Sequence, residues 1–198
     1  MANNCWNYVA ITGDKRVVDT LQKHFENYEN TRYFTEFADA FFNKKRDYKE
    51  QPFDFYYEYG TKWWDFEWDR HSETELVIQG DSAWSPPLEL LKRISKKYSC
   101  KVYAEYTEHG NDFAGRVTYK HGKTKEKWEC SAQRMDLEHM GLGEFYDYHY
   151  QWGHENLEEF INSISEDVIE YIGVDGVAQF TKWFKEDEKR SKLQAENI

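Results

Sequence analysis

With 198 residues and 39% apolar content the chain can bury a core of its own but does not suit two full domains, and no window approaches the 18 apolar residues of a membrane span. Its 37 Asp and Glu outweigh 26 Lys and Arg, and a net charge of −11 argues against general binding to a phosphate backbone, although acidity is also ordinary solubility chemistry. Cys5, Cys100 and Cys130 are odd in number and lack a CxxC or CxxH pair, which argues against a disulfide framework or zinc finger. They read as reduced thiols. "MANNCWNYVAITG" lacks a basic segment followed by an apolar run, so the expected location is cytoplasmic. Phe, Tyr and Trp make up 18% of the residues, so the core must be built largely from rings, and the exposed remainder favours contact with a partner.

The first predicted element is "CWNYVAITG", a half-buried strand alternating through Trp6, Tyr8 and Ile11 and closing on Gly13. Asp14 is placed to cap a helix whose Val17, Val18, Leu21 and Phe25 share one face. Asn30 to Gln51 reads as an inserted helix with Phe34, Phe37, Phe41 and Phe42 at helical spacing, ending near "KKR". A strand follows Gly60, with Trp64, Phe66 and Trp68 on one side, and "SETELVIQGD" supplies another. Ser85 as N-cap and Pro86 as first helical residue open a helix with a Leu88, Leu91, Ile94, Tyr98 stripe, ending near Lys97. "CKVYAEYTEHG" and "DFAGRVTYKHG" form a hairpin through "EHGND", and "KTKEKWEC" adds a strand.

Gly141 to Gly153, rich in glycine and rings, reads as a structured loop. Asn156 with Glu159 makes a capping box for a helix carrying Leu157, Phe160, Ile161, Ile164, Val168 and Ile172, which stops at Gly173. Val177, Phe180, Trp183 and Phe184 mark a last amphipathic helix. The order strand, helix, strand, strand, helix, strand is a split βαβ pattern. The expected fold is α+β: a ferredoxin-like antiparallel sheet with helices on one face, plus an extra β-hairpin and two C-terminal helices. It is read as one domain over 1–198, with a core at 5–122, an insertion near 30–50 and an extension at 123–198.

"GDSAWSPPLELLKRISKKY", "VYAEYTEHGNDFAGRVTYKHG" and "YGTKWWDF" together resemble the YubB ferredoxin-like domain family of bacteriophages, enterobacterial plasmids and integrated elements. The matching pieces are Asn7 to Gly13, Gly60 to Trp63, Ala83 to Pro87 and His109 to Gly115, within roughly residues 5–122. The resemblance implies the ferredoxin-like fold and a mobile-element source in a bacterial host. It implies no catalytic residue.

Trp63, Asp81, Trp84, Glu105, Glu108 and Asp112 fall near loop ends, where rings beside carboxylates suit a basic partner; Tyr146, Tyr148 and Trp152 join them from the C-terminal extension. The competing reading is structural, with Trp84 covering the helix start and Gly110 and Gly115 shaping the hairpin. Glu105 and Glu108 differ by an odd number and face opposite sides of a strand, against a shared metal or acid pair. The histidines lack HxH or HExxH spacing, and there is no GxSxG, P-loop or RNP pattern. No cofactor or metal is therefore expected. The expected function is non-enzymatic: binding and modulation of a basic or nucleic-acid-binding host protein, as a counter-defence inhibitor of a nuclease, restriction enzyme or nucleic-acid-modifying toxin. The alternatives are an enzyme with an unrecognised acidic site acting on nucleic acid or nucleotide, an RNA binder, and a self-associating scaffold or homo-oligomer.

Overall fold

The computed structural model describes residues 3–28, 33–45, 58–151, 153–154 and 156–195, with side chains to 190. The expected features at 30–32 and 46–57, and Trp152, lie outside the described residues. The chain divides into two compact units, Met1–Glu129 and Cys130–Ile198.

In the first unit β1 (Asn4–Thr12) leads to α1 (Lys15–Glu26), α2 (Phe34–Ala40), the hairpin β2 (Trp64–Ser72) and β3 (Glu75–Ala83), α3 (Leu88–Lys97), then β4 (Lys101–Glu108), β5 (Phe113–Lys120) and β6 (Lys123–Cys130). These form one antiparallel sheet of order β2-β3-β1-β4-β5-β6. Its first four strands have the split βαβ order expected from the sequence, and β5 and β6 extend it beyond β4. The register Val9↔Ile78 and Val9↔Ala104 aligns the apolar positions of three strands on the face covered by α1 and α3. A one-residue slip would turn every one of them outward.

The core is ring-built, as the composition requires. Phe25, Phe37, Phe41 and Phe66 pack with centroids 5.0–5.7 Å apart, edge-on or tilted. The Tyr28 hydroxyl reaches Trp64 O at 2.5 Å, and Tyr59 reaches the buried Asp39 carboxylate. Asp14 caps α1 by accepting from Val17 N at 3.0 Å.

Three local expectations are corrected in this unit. In β1 the buried face is Cys5, Asn7, Val9 and Ile11; Trp6 and Tyr8 point the other way. The helix expected over 30–51 is described only as α2, followed by a turn at 41–43. Ser85 does not cap α3, which starts at Leu88; its hydroxyl donates to Gly60 O instead. Pro87 has no N–H for a Ser85 cap to receive, and Leu88 N already donates to Pro86 O at 2.8 Å.

In the second unit α4 (Ala132–Tyr150), α5 (Leu157–Asn162) and α6 (Glu166–Ala195) enclose a core of Phe145, Tyr146, Phe160, Phe180 and Phe184. Residues expected as a loop from Gly141 are thus helical as far as Tyr150. Gly141, at φ 78° and ψ 170°, breaks α4 into two runs. Asn156 caps α5 as expected, accepting from Glu159 N at 2.9 Å, but that helix ends at Asn162 instead of continuing to Ile172. Gly173, at φ 62° and ψ −167°, interrupts α6 where the stop was expected. None of the described helices is long and apolar enough to cross a membrane.

Candidate functional site

The sheet face opposite α1 and α3 is organised in cross-strand rows. One row runs Asp65, Asp81, Trp6, Thr107, Ala114; the next runs Glu67, Gln79, Tyr8, Glu105, Arg116. Asp65 and Asp81 sit directly opposite each other, an arrangement that like-charge repulsion disfavours. With Glu67 they flank a shallow groove of about 330 Å³ that has Trp6, 39% exposed, as its ring.

The carboxylate on the β4 side is already used. Glu105 Oε2 accepts from Arg116 Nε and from the Tyr103 hydroxyl, both at 2.8 Å, and the Arg116 guanidinium lies 5.0 Å from the Trp128 ring. Burial, and then the bond to Glu105, push the Tyr103 phenol up to about 12. The face is therefore unevenly charged: acidic across β2 and β3, neutralised across β4 and β5.

Trp84 stands at the end of β3 with φ 61°, a left-handed conformation that costs a bulky residue on the order of 1 kcal/mol. Its backbone N–H donates to Asn3 O at 2.9 Å, the residue is 45% exposed, and Lys62 Nζ lies 5.9 Å from the ring centroid. On the other side of Asn3 is the β4–β5 turn, since a Cβ at Gly110 would lie 2.3 Å from Asn3 Nδ2. Trp63 contributes its backbone, accepting from Ala83 N at 3.1 Å. The fold thus brings Trp63, Trp84 and the Glu108–Asp112 turn to one end of the sheet, with Asp81 beside Trp6 close by.

Two expected contact residues are buried. Glu108 is 1% exposed: Oε1 accepts from Gly110 N, and Oε2 from Asn111 N and Nδ2, at 2.7–2.8 Å, so this carboxylate holds the turn together. Tyr146 is 2% exposed in the core of the second unit and donates to Asp187 Oδ2. Tyr148 is exposed and Asp112 lies at the turn tip with φ 49°. Glu105 and Glu108 lie on opposite faces, as their odd spacing predicts, and do not converge with Asp112 into an acidic site.

Trp6, Asp65 and Glu67 were not among the expected site residues. The "DFEWD" alternation signalled the β2 acids, but their pairing with Asp81 depends on register. Asn7, from the first motif of the resemblance, is structural: it is 1% exposed, and its Nδ2 donates to Cys5 O, Ser82 Oγ and Gly80 O. Burial raises the Cys5 thiol to about 12 and the Cys100 thiol to about 11, so neither supplies a thiolate near neutrality. Among the described residues no group of three His, Cys, Asp or Glu side chains could hold a metal ion.

Comparison with known proteins bears on the sheet. Over 67% of its length the chain aligns with 99% of the crystal structure of a protein api92 from Yersinia pseudotuberculosis, at 12% identity and a TM-score of 0.45. No curated protein matches the chain. The family match begins at Lys62, after β1 and α1, and continues past Lys123 into α4. Residues 62–151 are similar to the ferredoxin-like domain in Api92-like protein, in keeping with the α+β architecture of the antiparallel sheet and its helices.

Proposed function

We propose that this chain is a non-enzymatic protein of a bacteriophage or related mobile element that binds and modulates a basic host protein, as a counter-defence inhibitor of a nuclease, restriction enzyme or nucleic-acid-modifying toxin. The observation that carries the binding is Trp84: an indole held in a strained conformation with its ring outward, at the sheet end near Trp6 and the opposed carboxylates of Asp65 and Asp81. Strain of this kind persists where surrounding structure imposes it, and the exposed Trp6 ring, in one groove with Asp65 and Asp81, suits Lys or Arg by cation–π contact and charge pairing. The mobile-element setting comes from the finer resemblance to the YubB family at Ala83 to Pro87 and His109 to Gly115. Rings on an open sheet face also suit stacked RNA bases, but the β2 and β3 acids beside Trp6 repel a phosphate backbone, which favours the protein partner.

The test is affinity capture from bacterial lysate with the tagged chain and with its Trp6→Ala and Trp84→Ala variants. The expected result is a stoichiometric, basic host protein held by the wild type and lost by both variants, whose activity falls when the chain is added. Recovery of no such partner, or equal recovery by all three proteins, would overturn the reading.

A further inference from the structure

The acidity of the chain is not evenly spread. Residues 130–198 carry 15 Asp and Glu against 6 Lys and Arg, and from Cys130 to Thr181 the only Lys or Arg is Arg134, against 11 acids. Within this stretch lies an open groove of about 810 Å³. Leu137, Leu142 and Ile172 give it an apolar lining, and Glu138 and Asp175 are its acids. Tyr171, also in its lining, is 62% exposed, and Val174, next to the lining Asp175 in the chain, is 86% exposed.

The groove lies where both long helices break. Gly141 and Gly173 hold backbone conformations open essentially only to glycine, yet a Cβ at either would meet nothing within 4 Å. They are glycines for the sake of the breaks and not of packing. Tyr171 is held in place by the Arg134 guanidinium, 3.4 Å from its ring centroid, while Arg134 pairs with Glu138 at 2.8 Å. An apolar floor with a fixed ring and the exposed acid Asp175, beside the ion-paired Glu138, is the complement of an amphipathic helix with apolar residues at i, i+3, i+4 and i+7 and Lys or Arg flanking them.

We infer that this groove binds a Lys- and Arg-rich amphipathic helix of the partner. The inference rests on the proposed binding of a basic host protein and names the segment by which that protein is gripped. Charge complementarity selects this occupant: a second copy of a chain with net charge −11 would bring acid to acid.

The probe is a fluorescent Leu/Lys amphipathic peptide of ~18 residues, about 27 Å as a helix, measured by anisotropy against the full chain beside the same peptide with Glu for Lys. Val174→Asp and Asp175→Lys lie on the surface and should leave the melting temperature unchanged. The expected result is binding of the Leu/Lys peptide only, weakened about tenfold, or about 1.4 kcal/mol, by either variant. Binding of both peptides alike, or no effect of either variant, would overturn the inference. So would a concentration-dependent mass abolished by Val174→Asp, which would make the groove a self-interface. The two proposals fail separately: a host partner lost with Trp84→Ala but retained with Val174→Asp sinks the groove alone. Specific peptide binding without a host partner sinks the proposed function and leaves the groove as a basic-helix site.

Discussion

At the scale of single residues, Trp84 and His24 are the two side chains whose surroundings carry the most consequence. Replacing Trp84 by Gly removes a left-handed penalty of about 1 kcal/mol but forfeits the covered half of an indole and adds unfolded-state freedom, each of similar size and opposite sign. The expected stability change is within about 1 kcal/mol, whereas partner binding should drop at least about tenfold; a chemical melt and a binding isotherm separate the two. His24 packs 4.6 Å from Phe41 and lies 3.1 Å from the Tyr98 hydroxyl. Burial, and then the positive Lys97, hold its imidazole below the ordinary 6.5. The folded state therefore refuses a proton that the unfolded chain accepts. Its contribution to stability is complete above 6.5 and is lost as pH falls from there toward the lowered folded value. The melting temperature should fall as the pH is lowered below 6.5, and less steeply in His24→Gln.

At the scale of elements, glycines separate close packing from backbone geometry. At Gly80 in β3 a Cβ would lie 2.1 Å from Asp65 O and 2.6 Å from Phe66 Cα, both backbone atoms of β2. Neither can yield without moving the strand, so Gly80→Ala should destabilise by about 3 kcal/mol, the upper end for overpacking. Gly143 in α4 meets nothing within 4 Å, and Gly143→Ala should stabilise by about 0.5 kcal/mol through helix propensity. Urea melts of the two variants should move in opposite directions. The same contrast explains what could be read from the sequence. Period-two alternation in "WDFEW" survives in the sheet because β2 packs one face into the core, and the apolar run in "ELVIQ" survives as a strand with Leu76, Val77 and Ile78 all buried, so the split βαβ order was legible. In α4 the break at Gly141 rotates the second run away from the first, so no single helical period spans 132–150 and the glycines and rings imitate a loop. At the candidate site, residue types were legible and pairings were not. Nothing local in "GDSAW" announces that Asp81 will face Asp65 on one side and Trp6 on the other.

At the scale of the whole chain, charge divides more sharply than mass. Residues 1–129 carry 22 acids and 20 bases, a net of −2, and residues 130–198 carry the other −9. The near balance of the first set does not make its sheet neutral in detail, because Asp65, Glu67 and Asp81 share one side of β2 and β3 while Arg116 is drawn to Glu105 across β4 and β5. A basic partner would accordingly meet two acidic surfaces of different character: a shallow one bearing an exposed indole and an apolar groove lined with acids. Long-range attraction by such surfaces acts on encounter more than on the final contact, and it is screened over a Debye length of about 10 Å at 0.1 M salt and about 3 Å at 1 M. Raising the ionic strength should therefore lower the association rate of the captured partner by about tenfold or more, with a much smaller change in its dissociation rate. Surface plasmon resonance over a salt series reads both. If dissociation instead carried the salt dependence, the ion pairs would be buried at the contact, and Asp175→Lys and Asp65→Asn would then act on lifetime and not on encounter.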